Sequence, residues 1–182
     1  MKKFGLVIFP VLLITIAAAQ NINVQKGSAQ VKGEKLDGFE VTLEGTTAEV
    51  TASLNSYLKK IGKTRLKDDV ITILEPAIDG TRYTIPVLAT TKGNDKNSTA
   101  WIGVKTSDWP EEDVKKVMKE LEKTMYGFGV KFKQDKIQVQ VDESVRASLA
   151  VEKQQQKLLN QNKELNVKLE DNKREKIQLE ES

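Results

Sequence analysis

Gly38-Phe39-Glu40-Val41-Thr42-Leu43-Glu44 alternates apolar and polar residues with period two, and the period then changes at once. Such alternation is the pattern of a half-buried strand. Thr46-Thr47-Ala48-Glu49 follows with the form of a capping box, a hydroxyl residue with Glu three positions on. Val50, Leu54, Tyr57, Leu58 and Ile61 then recur at helical spacing. Lys59 and Lys60 suit the carbonyl end of that helix, and Gly62 suits its cap. A strand that hands directly to an amphipathic helix over 47–61 points to an α+β fold.

The residues downstream extend this reading. Val70-Ile71-Thr72-Ile73-Leu74 is a second strand, and Asp79-Gly80 a tight-turn dipeptide. Tyr83, Ile85 and Val87 alternate in a third strand, where Pro86 indicates an edge or a bulge. Residues 91–97 read as a polar loop. Residues 99–105 form a fourth strand, with Trp101 and Gly103 on one face and Ile102 and Val104 on the other. Asp108, Pro110 and the acids Glu111, Glu112 and Asp113 open a second helix, whose apolar stripe is Val114, Val117, Met118, Leu121 and Met125. The order strand, helix, three strands, helix predicts a small, mostly antiparallel sheet with helices packed on one face.

A step in composition marks the other half of the chain. Beyond residue 20, every aromatic lies between Phe39 and Phe132, and every Gly and Pro between Gly27 and Gly129. Residues 133–182 contain none of these and read as a long, coiled-coil-like C-terminal α-helix. Residues 126–145 admit two readings. Val130 and Phe132, then Ile137, Val139 and Val141, alternate as in a hairpin. Leu121, Met125, Phe128 and Phe132 continue a helical stripe, and a helix kinked near Gly127 and Gly129 is favoured. The expected organisation is a signal peptide at 1–20, a flexible lead or first strand at 21–37, the α+β domain at 38–130, and a helical arm at 131–182.

Along the arm, Val151, Leu158, Leu165, Asn172 and Leu179 fall at seven-residue spacing. Ser148, Gln155, Asn162, Leu169 and Lys176 take the companion positions. This is a coiled-coil seam of which half is polar, and Asn at such a position fixes register at a cost in stability. The candidate seam contacts are Val151, Leu158, Asn162, Leu165, Leu169 and Leu179. The competing reading is a solvated single helix held by charge pairs such as Glu164–Lys168.

The N-terminus supplies the compartment. Lys2 and Lys3 precede an apolar run over 4–16, and Ala17-Ala18-Ala19-Gln20 supplies small residues for cleavage near Ala19 or Gln20. That is the layout of a secretory signal peptide. A spanning helix needs roughly 20 apolar residues; this run is shorter and contains Pro10. The expected product is periplasmic or extracellular, with no transmembrane span after processing. Removing Lys2 and Lys3 lowers the formal net charge from +3 to +1, which gives no electrostatic reason to bind nucleic acid.

The chain has no cysteine and no histidine. Ser-His-Asp and Cys-His catalysis are therefore excluded, as are zinc sites built on those residues. Asp68-Asp69 with Glu75 and Asp79 matches no acid/base or calcium template and reads as surface charge. Asn94-Asp95-Lys96-Asn97 lacks the glycine and distal Glu of an EF-hand and reads as a polar turn. Trp101 and Trp109 are candidate ligand or partner contacts, in competition with a packing role. No cofactor is implied. In plan only, the export signal, β-containing body and helical arm resemble the Skp-like periplasmic chaperones; element order and charge differ, and no motif is shared. The expected function is that of an exported, non-enzymatic interaction protein, self-associating or docking on an envelope protein through its C-terminal helix. The alternative is a small-molecule or glycan-binding module using the α+β domain.

Overall fold

A computed structural model describes residues 22–181. The predicted signal peptide and its cleavage site lie outside the described residues. The chain divides into two compact units, Met1–Gln134 and Asp135–Ser182.

In the first unit, β1 (Val24–Val31) and β2 (Glu34–Glu44) lead into α1 (Thr47–Leu58). Strands β3 (Lys63–Lys67), β4 (Val70–Leu74), β5 (Ala77–Ile78), β6 (Thr81–Arg82), β7 (Val87–Gly93) and β8 (Asn97–Val104) follow. A 3-10 turn (Thr106–Asp108) then precedes α2 (Glu111–Glu180). Six strands form one sheet in the order β1-β2-β8-β7-β4-β3, every pairing antiparallel. β5 and β6 form a separate two-stranded ribbon. The expected α+β fold, with an antiparallel sheet and a long C-terminal helix, is the fold of the protein.

Period-two alternation sorts the sheet into two faces. Phe39, Val41 and Leu43 of β2, Ile102 and Ala100 of β8, Ala89 of β7 and Ile71 and Ile73 of β4 share one core with Val50, Leu54 and Leu58 of α1. Val117, Leu121, Met125, Phe128 and Phe132 of α2 join the same core, so both helices cover one face. The other face carries a smaller cluster of Ala29, Val31, Leu36 and Trp101, with Val70 and Leu88 at its margin. α1 starts as the capping box requires: the Thr46 hydroxyl accepts from the Glu49 amide at 3.2 Å. Its polar edge is tied to the sheet through Thr51 and Thr91, and through Thr47 and Ser98 at 3.3 Å.

Three hairpins close through two-residue turns with both central residues at positive φ: Lys32-Gly33, Asp68-Asp69 and Asp79-Gly80. Only the last carries a strong turn dipeptide. Asp68-Asp69 is thus the corner between β3 and β4, which accounts for this acidic pair without any chemistry. Asn94 also acts locally: its side-chain oxygen accepts from the amides of Lys96 and Asn97 at 2.8 and 2.9 Å, turning β7 into β8.

The structure corrects several expectations. Of the two readings of 21–37, flexible lead or first strand, Val24 to Val31 takes the second and pairs along its whole length with β2. β3 escaped notice because Lys63-Thr64-Arg65-Leu66-Lys67 is mostly polar, which suits an edge strand. The third main strand is Val87–Gly93, not residues 83–87. Thr90 and Thr91 are buried there, although the expected polar loop begins at Thr91. α1 ends at Leu58, three residues before Ile61.

Residues 126–145 are helical, which is the favoured of the two readings, and the expected boundary at 130 falls inside α2. Gly127 and Gly129 serve close packing. A Cβ on Gly127 would lie 2.5 Å from the Tyr57 hydroxyl, and one on Gly129 would lie 2.8 Å from Ile22.

Candidate functional site

The two tryptophans lie in different places. Trp101 is on the sheet face away from the helices, 3 % exposed. Its ring lies over Gly103, where a Cβ would come 2.2 Å from Cζ2, and its Nε1 donates to the Gly27 carbonyl at 3.3 Å. Trp109 precedes α2, is 5 % exposed and belongs to the main core. It packs against Tyr83 with ring centroids 4.8 Å apart. Neither ring presents an open face to a ligand, and the sheet separates them.

The surroundings of Trp109 hold the main polar contacts of that corner. The Tyr83 hydroxyl donates to Asp113 at 3.2 Å, and Lys116 meets Asp79 at 3.4 Å. Burial, and then the Asp113 carboxylate, push the Tyr83 phenol above its ordinary range. The Trp109 N–H is buried without a hydrogen-bond partner among the described residues, as is the Asn55 side-chain oxygen.

A shallow cavity of about 250 Å³ sits at the end of α1, lined by Lys59, Lys60, Lys63, Arg82 and Glu75 among others. Two of its cations have structural work. Lys59 and Lys60 stand at the carbonyl end of α1, and Lys60 Nζ lies 4.6 Å from the centre of the Tyr57 ring. Among the described residues no three His, Cys, Asp or Glu side chains gather as a metal site.

The second unit is of another kind. Of residues 137–181, every one is exposed, including thirteen large apolar side chains between 43 and 77 % exposed. The candidate seam residues Val151, Leu158, Leu165, Leu169 and Leu179 are among them. Seven-residue spacing on a helix places Leu158 and Leu165 nearly above one another, with Val151 and Leu169 flanking the same line. Asn162 lies in that stripe and accepts from Asn166 at 3.2 Å. Ion pairs join Glu170 to Lys173 at 2.8 Å and Lys176 to Glu180 at 3.5 Å; Glu164–Lys168 is not one of them.

Contacts of this sort contribute a few tenths of a kcal/mol each. They do nothing to cover the leucines. A long helix carrying so many exposed leucines is a surface for helix-mediated association. Among the described residues no helix is long and apolar enough to cross a membrane. Comparison with protein-family models, with curated proteins and with solved structures gave no match.

Proposed function

We propose that this is an exported, non-enzymatic interaction protein of the bacterial envelope, acting through its helical arm. The observation that carries this is the line of exposed leucines at heptad spacing on residues 151–179. A helix whose apolar residues are exposed among the described residues lowers its free energy by laying them against another helix. The absence of His and Cys supports a role without nucleophilic or zinc chemistry. Export is supported by Lys2-Lys3, the apolar run over 4–16 and the small residues that follow.

The test is light scattering on the processed chain, residues 21–182, across a concentration series, beside a chain ending at Arg146. The expected result is an oligomer that becomes a monomer when the arm is shortened. A monomer in both, with no helical partner in the envelope that binds the arm, refutes the reading. Export is tested separately, by locating the protein and sequencing its N-terminus; an intact Met1 in the cytoplasm refutes it.

A further inference from the structure

We infer that the arm pairs with a second copy of itself, and that the two helices run antiparallel, with residue 148 of one chain beside residue 179 of the other. This rests on the association reading above and adds partner and orientation to it.

Charge decides the orientation. In a parallel pair, seam residues face their own copies and the flanking positions meet five residues apart. Lys168 then lies opposite the other chain's Lys173, Glu175 opposite Glu180, and Lys176 opposite Lys176 inside the seam. All of these are like-charge contacts, and the two-fold axis repeats the first two.

Reversing one helix removes every one of them. In the antiparallel register the seam pairs are Leu158 with Leu169, Gln155 with Asn172, Asn162 with Leu165, Val151 with Lys176 and Ser148 with Leu179. Leucine meets leucine, amide meets amide, and Lys176 reaches past Val151 to solvent on its apolar stem. The flanking positions bring Glu152 against Lys173 twice, and the remaining flanking contacts each contain an uncharged residue, such as Gln154 with Glu175 or Gln161 with Lys168. Lys173 already stands beside Glu170 of its own helix, so in the pair it sits between two carboxylates.

Lys173→Glu separates the two orientations by sign. In the antiparallel pair the introduced carboxylate faces Glu152, and with two such sites the dimer weakens about tenfold. In a parallel pair the same carboxylate faces Lys168, and the dimer tightens. Glu152→Lys also weakens the antiparallel pair, and the double variant E152K/K173E recovers it. Helix content of each variant, read by circular dichroism, accounts for the lost Glu170 contact. The cysteine-free chain gives a second reading: L158C and L169C chains mixed together form a 158–169 disulfide, while L158C alone resists cross-linking. Tighter binding by K173E, or ready 158–158 cross-linking, overturns the antiparallel inference while self-association stands. A chain that stays monomeric at every concentration overturns self-association, leaving arm-mediated binding to a different partner to be decided by the envelope assay above.

Discussion

Leu121 and Leu158 lie on the same helix, and replacing each with alanine tests whether the two parts of α2 do different work. Leu121 is 1 % exposed, in the core that α2 shares with α1 and the sheet. Leu121→Ala removes buried methyl groups and leaves a cavity, at a cost of about 2–5 kcal/mol. Leu158 is 56 % exposed and outside both apolar clusters. Its replacement leaves the body's stability unchanged within about 0.5 kcal/mol, with alanine slightly favouring the helix. The assay is urea unfolding followed by tryptophan fluorescence at low protein concentration, since both tryptophans report on the body. With a slope of about 1–3 kcal/mol/M, Leu121→Ala moves the midpoint by about 1 M or more and Leu158→Ala by much less. For self-association, read by light scattering across a concentration series, the order reverses. Burying a half-exposed leucine is worth about 1–1.5 kcal/mol, and a symmetric pair loses it twice. Leu158→Ala then weakens the dimer by about thirtyfold or more. Equal midpoint losses for the two variants would refute the division of α2 into a packed and an associating part.

Three further outcomes follow from the body. Gly103→Ala places a Cβ 2.2 Å from the Trp101 ring and 2.4 Å from the Asp37 carbonyl, so urea unfolding shows a loss of about 1–3 kcal/mol; an unchanged midpoint contradicts this packing. Both tryptophans, being buried, emit at short wavelength and are quenched weakly by acrylamide; quenching like that of free indole refutes their placement. Burial raises the phenols of Tyr57 and Tyr83, with Asp113 adding to the second. The unfolded chain therefore ionises first, near its ordinary value of 10.0. The stability from the neutral phenols is complete below that pH and is lost as pH rises through the raised folded values. Tyr57→Phe and Tyr83→Phe each flatten the alkaline decline in urea midpoint, and an equally steep decline in both variants contradicts the assignment.

Where hydrophobic period and turn chemistry agreed, the residues were legible as structure: β2, the Thr46 cap, Asp79-Gly80 and the α2 stripe. What was not legible has physical causes. β3 and β7 are strands because neighbouring strands complete their hydrogen bonds, and local polarity does not reveal such pairing. Asp68-Asp69 adopts a turn usually marked by glycine because aspartate tolerates positive φ. The glycines at 127 and 129 keep a hairpin open beside the favoured kinked helix because the side chains that need their space, Tyr57 and Ile22, are distant in sequence. For the arm the spacing of the leucines was legible; their exposure among the described residues was not, since exposure is a property of the fold.

The charges that flank the seam then have a purpose that stability alone does not explain. A stripe of leucine at every position would pair more tightly, but it would pair equally well after sliding by seven residues. Slide the proposed antiparallel pair one heptad toward the C-terminus and Lys168 faces Lys168, while Glu152 faces Glu180. The favourable Glu152–Lys173 contact is lost in the same step. Asn172 leaves Gln155 and meets Asn162, so the leucines alone scarcely distinguish the two registers and the flanking charges do. The polar seam positions give up affinity, and the flanking charges supply the selectivity. Together they favour an association that forms and dissolves with concentration, in a chain whose body already folds on its own buried core.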